Sequence, residues 1–136
     1  MNESIYRSPA NRIIKEMQSV LPQGWSKVCF CFEMEEKAYS GDFYVFIGND
    51  TVPLRAVNIV KEFSLSDDLL SSFYNKVYNI LLPIWKKTEK KGGVFSHYIL
   101  TFDDNHFEEE YDYRELSDSF GFFDFWTEWK KTYVKA

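Results

Sequence analysis

The chain has 136 residues, with 16 Lys and Arg against 21 Asp and Glu for a formal net charge of −5, and carries 4 Trp, 9 Tyr and 13 Phe with only six Gly and four Pro. A chain this long and aromatic buries roughly two-thirds of its unfolded surface, which argues against disorder and for one domain over residues 1–136. No apolar stretch approaches the roughly 20 residues of a membrane span, and the acidic balance repels nucleic acid, so neither partner is expected.

MNESIYRSPANRIIKE has no apolar signal core, and a cytoplasmic protein is expected. Ser8 before Pro9 reads as a helix start, and Ile13, Ile14, Met17, Val20 and Leu21 recur at helical spacing until Pro22 and Gly24. From Lys27 the period becomes two. Val28, Phe30, Phe32 and Met34 share one face, and Cys29, Cys31, Glu33 and Glu35 the other, as in a half-buried strand. The two cysteines point the same way, a poor geometry for a disulfide, and read as buried thiols.

Ser40-Gly41-Asp42 reads as a turn into Phe43-Tyr44-Val45-Phe46-Ile47, which is apolar on both faces and expected in the centre of the sheet. A third strand is expected from about Val52 to Val60. Ser66 caps a long helix with Asp67 and Asp68 in its first turn and Leu69, Phe73, Val77, Leu81 and Ile84 as its buried stripe. Pro83 is expected to kink it, and Gly92-Gly93 to end it. Strands over 95–103 and 106–113 and an aromatic helix over 122–134 complete an α+β order of helix, three strands, long helix, two-strand hairpin and helix.

Charge is unevenly spread. Residues 101–128 hold ten carboxylates, opposed only by Arg114, whereas the chain on either side is slightly basic. Such a concentration raises the cost of folding by self-repulsion and points to something it attracts. With Asp104-Asn105 as a two-residue turn, Phe102 pairs with Phe107, Leu100 with Glu109 and Tyr98 with Tyr111 on the core face. The opposite face pairs Thr101 with Glu108, Ile99 with Glu110 and His97 with Asp112, setting three carboxylates in a row. Asp103 and Asp104 at the tip, and Glu115, Asp118 and Asp124 beyond the far end, extend the row into a patch. An ordinary solvated strand face is the plainer reading of the same residues.

Catalytic and metal motifs are absent. The spaced carboxylates and closing Glu of a calcium loop are missing around Asp103-Asp104-Asn105, and His97 and His106 lack zinc-like spacing to the cysteines. Gly92-Gly93 follows a helix, not a strand, so it is no phosphate loop. His97 facing Asp112 has the elements of a general base, but no motif sets a nucleophile beside it, and Ser96 is expected on the other face. No cofactor and no metal are expected.

Leu21-Pro22-Gln23-Gly24-Trp25-Ser26-Lys27-Val28, Ser40-Gly41-Asp42-Phe43-Tyr44-Val45-Phe46, Thr101-Phe102-Asp103-Asp104 leading through Phe107 to Tyr111-Asp112-Tyr113, and Trp126-Thr127-Glu128-Trp129-Lys130 together resemble the YezG-like antitoxin family of bacterial immunity proteins. The resemblance implies an α+β fold with an antiparallel sheet, no catalytic activity, and neutralisation of a secreted or contact-delivered toxin, often a nuclease. The chain departs from the family pattern in Glu108-Glu109-Glu110 and in a Phe-rich C-terminus. Combined with the charge distribution, it leads to an immunity protein whose acidic surface occupies a basic cleft of its toxin. The partner-binding residues expected are Asp103, Asp104, Glu108, Glu110, Asp112, Asp118 and Asp124, with Tyr113, Phe120 and Phe122 as apolar anchors. An acidic adaptor that neutralises nothing, and a small hydrolase built on His97, Asp112 and a neighbouring carboxylate, are the competing readings.

Overall fold

The computed structural model describes residues 8–113 and 125–134. Helix α1, Ala10–Met17, begins where the Pro9 carbonyl accepts the Arg12 and Ile13 amides and the Ser8 hydroxyl accepts that of Ala10. It buries Ile13 and Met17, and Val20 is buried in the turn after it. Strands β1, Trp25–Met34, and β2, Tyr39–Ile47, form an antiparallel pair. The chain reverses at 35–38, where the Glu35 amide donates to the Ala38 carbonyl.

Ser40-Gly41-Asp42 is therefore strand and not turn, paired with Glu33, Phe32 and Cys31. Gly41 is there for packing: a Cβ would lie 2.6 Å from the Tyr74 ring. The third strand is shorter than expected. Strand β3 is Leu54–Arg55 alone, and the chain then turns into helix α2, Ala56–Glu62, because Ala56 and Ile59 recur at helical spacing and are buried while Val57 between them is 58% exposed.

Helix α3, Asp67–Lys90, is capped as expected by the Ser66 hydroxyl accepting the Asp68 amide, and Pro83 lies within it. Gly92, at φ 95°, follows its end in the left-handed conformation that glycine tolerates best. Strands β4, His97–Asp103, and β5, Phe107–Asp112, form the hairpin in the expected register, from Phe102 opposite Phe107 to His97 opposite Asp112. Residues 125–129 are α-helical and run on as a π-helix, Lys130–Val134; together they are α4.

The sheet order is β3-β2-β1-β4-β5, all antiparallel, so β1 and not β2 is central. Its first face, with Val28, Phe30, Phe32, Phe43, Val45, Tyr98, Leu100 and Phe102, packs in one core with Ile13, Met17, Ile59, Phe73, Val77 and Leu81 of α1 to α3. The second face gathers Cys29, Cys31 and Ile99 beneath Phe125, Trp129 and Val134 of α4. Strand β1 is thus buried on both sides, and the expectation of a half-buried strand is corrected. Residues that look like a solvated face belong to a second, smaller core.

Candidate functional site

On the second face the strands bring together groups far apart in sequence. Glu33 of β1 lies opposite His97 of β4, which lies opposite Asp112 of β5. His97 is fully buried, its Nε2 is 2.9 Å from Glu33 Oε1, and its Nδ1 is 2.9 Å from Ser96 Oγ. The Ser96 hydroxyl is also 3.2 Å from the Asp112 carbonyl oxygen, which accepts the Ser96 amide at 2.7 Å. Both ring nitrogens are taken, so the expected pairing of His97 with the Asp112 carboxylate is replaced by pairing with Glu33.

Ser96 precedes β4 and escapes strict alternation, and its hydroxyl reaches the face where His97 sits. With Glu33 ionised, Nε2 donates to it. Nδ1 then either accepts the Ser96 proton or, in the imidazolium, donates to Ser96 Oγ while that hydroxyl donates to Asp112. The connectivity of serine, histidine and acid is that of a hydrolase triad with the two ring nitrogens exchanged. Phe125 stacks on the imidazole with ring centres 3.5 Å apart and planes 16° apart, and Trp126 meets it edge-on. A substrate has no approach to a ring so covered, and the group acts as a tie joining β1, β4, β5 and α4.

Beyond that tie lies the acidic row. Glu108 and Glu110 are exposed on β5, two strand residues apart and so roughly 7 Å apart along the chain, with Asp112 partly buried at the end of the row. Glu109 points to the other face and accepts the Tyr98 hydroxyl at 2.7 Å. Helix α4 borders the row: Tyr133 donates to Glu110 Oε2, and Ile99, Thr101, Glu108, Glu110 and Tyr133 line a groove of about 410 Å³. The Tyr133 carbonyl accepts the thiol of Cys29, and burial pushes that thiol up to about 11.

At the hairpin tip Asp103 Oδ1 accepts the amides of Asn105 and His106 and lies 3.3 Å from His106 Nδ1. The two amide hydrogen bonds hold its carboxyl below the usual range. Asp103 therefore shapes the turn, whereas Asp104 beside it is exposed. Tyr113, at the other end of the row, is 56% exposed. The structure thus places Asp103, Asp104, Glu108, Glu110, Asp112 and Tyr113 along one hairpin, while Asp118, Phe120, Phe122 and Asp124 lie outside the described residues, as does Glu115. Glu33 is a neighbour of His97 that the sequence reading does not identify, and Ser96, expected on the other face, is a second. The available signal was a lone glutamate on a strand otherwise alternating Phe and Cys.

Among the described residues no group of three or more His, Cys, Asp or Glu is placed to hold a metal ion, and no helix is long and apolar enough to cross a membrane. Residues 3–136 match the family model described as Immunity protein YezG-like, nearly the whole chain, and the chain belongs to that family. No curated protein matches it.

Proposed function

From its place in the YezG-like immunity protein family, we propose that this chain neutralises a cognate toxin domain by binding it directly, without catalysis, through the acidic margin of its second sheet face. The observation that carries the reading is the pair Glu108 and Glu110, exposed side by side on edge strand β5 and held in register by the β4–β5 ladder. A toxin that cuts nucleic acid needs a basic cleft for phosphates, and a fixed row of carboxylates is complementary to it. We take a nuclease as the toxin class for that reason. Asp104 and Asp112 extend the row, Tyr113 supplies an aromatic anchor at its end, and Asp118, Phe120, Phe122 and Asp124 are added to the proposed partner-binding residues from the sequence alone.

Silencing a lethal enzyme calls for a Kd on the order of nanomolar, about 12 kcal/mol of binding free energy. Long-range attraction makes association fast and salt-sensitive, and carboxylates desolvated against Arg or Lys set the dissociation rate. The test is reversal of Glu108 and Glu110 together to Lys, with binding and protection measured against the cognate toxin domain. Affinity is expected to fall by several kcal/mol. The matched control reverses Glu35 and Glu36, both exposed at the β1–β2 turn. Equal protection by both double variants, with association indifferent to salt, would place the interface elsewhere.

A further inference from the structure

The second face has another opening at its opposite margin. A cleft of about 410 Å³ lies between β2, β3 and α4, lined by Ser40, Asp42, Tyr44, Arg55, Trp129 and Lys130 among others. Its one carboxylate is already used: Asp42 accepts the Phe43 amide at 2.9 Å and Arg55 Nε at 2.8 Å. What the cleft offers an incomer is donors. Arg55 is half exposed, and its remaining N–H groups have no partner among the described residues. Lys130 Nζ stands 5.5 Å from the centre of the Tyr44 ring, and Trp129 contributes a wall of the cleft. The Ser40 hydroxyl and, at the α4 side, that of Thr127 add to them. Aromatic walls lower the local dielectric and strengthen any charge-assisted hydrogen bond made there.

We propose that this cleft receives an acidic side chain of the protein partner, so that the second face is a two-signed interface which gives carboxylates at β5 and takes one at β2. The inference rests on the toxin-binding reading and extends it. Three interstrand steps separate β2 from β5, roughly 14 Å at about 4.8 Å each. A partner must therefore carry a basic patch and a carboxylate at that spacing, and a merely basic surface meets Arg55 and Lys130 with repulsion. Selectivity against other basic proteins follows, which a row of carboxylates alone does not provide.

The test titrates the catalytically inactivated cognate toxin domain against the whole chain and variants of exposed residues. Lys130→Glu, and separately Thr127→Glu, which sets a carboxylate of the chain's own in the cleft, are each expected to raise Kd about tenfold or more with the melting temperature unchanged. Lys131→Glu, the same change in net charge as Lys130→Glu but on a residue that does not line the cleft, is expected to leave Kd within about twofold. Wild-type affinity in both cleft variants, or an equal loss in Lys131→Glu, overturns the cleft assignment. If the Glu108 and Glu110 reversal still weakens binding in that case, the toxin reading stands without it. Failure of the wild-type chain to bind the toxin domain overturns both.

Discussion

The two faces of the sheet are built from the same five strands yet solve different problems. Face one alternates Phe, Val, Leu and Tyr beneath three helices, and Phe30 alone has ring contacts with Phe32, Phe43 and Phe73. Face two buries thiols, a histidine and a glutamate beneath one helix, with carboxylates at one margin and Arg55 with Lys130 at the other. Apolar packing is non-directional and tolerant, whereas a buried hydrogen-bonded group fixes where its neighbours lie. Stability therefore resides mainly on the first face, and the geometry that presents charge resides on the second.

The sharpest way to break this division is to cut into each face in turn. Phe30→Ala removes the centre of the first core and is expected to cost about 3–5 kcal/mol, read from the urea midpoint. A variant as stable as the wild type would mean that the first face does not dominate. Next in size is His97→Ala, which leaves the Glu33 carboxylate buried without its partner, at about 2–3 kcal/mol. Toxin affinity is expected to change far less than stability, and the reverse order would make the histidine part of the interface.

A gentler probe uses the Cys29 thiol. Its ionisation is raised from 9.0 to about 11 by burial, only partly offset by Lys27, so between those values the unfolded chain has released a proton that the folded chain keeps. The contribution to stability is whole below about pH 9 and is lost as pH rises towards 11, with a slope of at most about 1.4 kcal/mol per pH unit. Cys29→Ser should flatten that slope, and both thiols should resist alkylation until the protein unfolds. The smallest effect belongs to the acidic margin: reversing Glu108 and Glu110 to Lys is expected to shift folding stability by no more than about 0.5 kcal/mol. A larger loss would show that the row, through Tyr133 and Glu110, helps to hold α4 down.

Local signals carried much of the first face and the hairpin. The Phe, Val and Leu alternation on β1 and the Asp104-Asn105 turn set both the core list and the β4–β5 register, because each depends on residues close in sequence. Val52 to Val60 misled because β-branched residues favour strands in general, while burial of Ala56 and Ile59 decided for a helix here. Ser40-Gly41-Asp42 has the composition of a turn, and its true role depends on Tyr74, which comes from a helix. The Glu33 and His97 pairing spans 64 residues and exists only once β1 lies beside β4 under α4. No periodicity within either strand contains that information.

The strand order also sets a timetable. The central strand β1 finds one neighbour, β2, within a few residues, but its other neighbour pairs Lys27 with Asp103 across the whole of β2, α2 and α3. Closing so long a loop costs entropy before any contact repays it, and a chain emerging from the ribosome has β1 and β2 available long before β4. Strand β5 gains its fixed place only when β4 has docked, and α4 follows in sequence. If the proposed toxin-binding surface at β5 is the functional one, it is thus the last part of the nascent molecule to be set in place, and a cell exposed early in synthesis depends on the copies it has already finished.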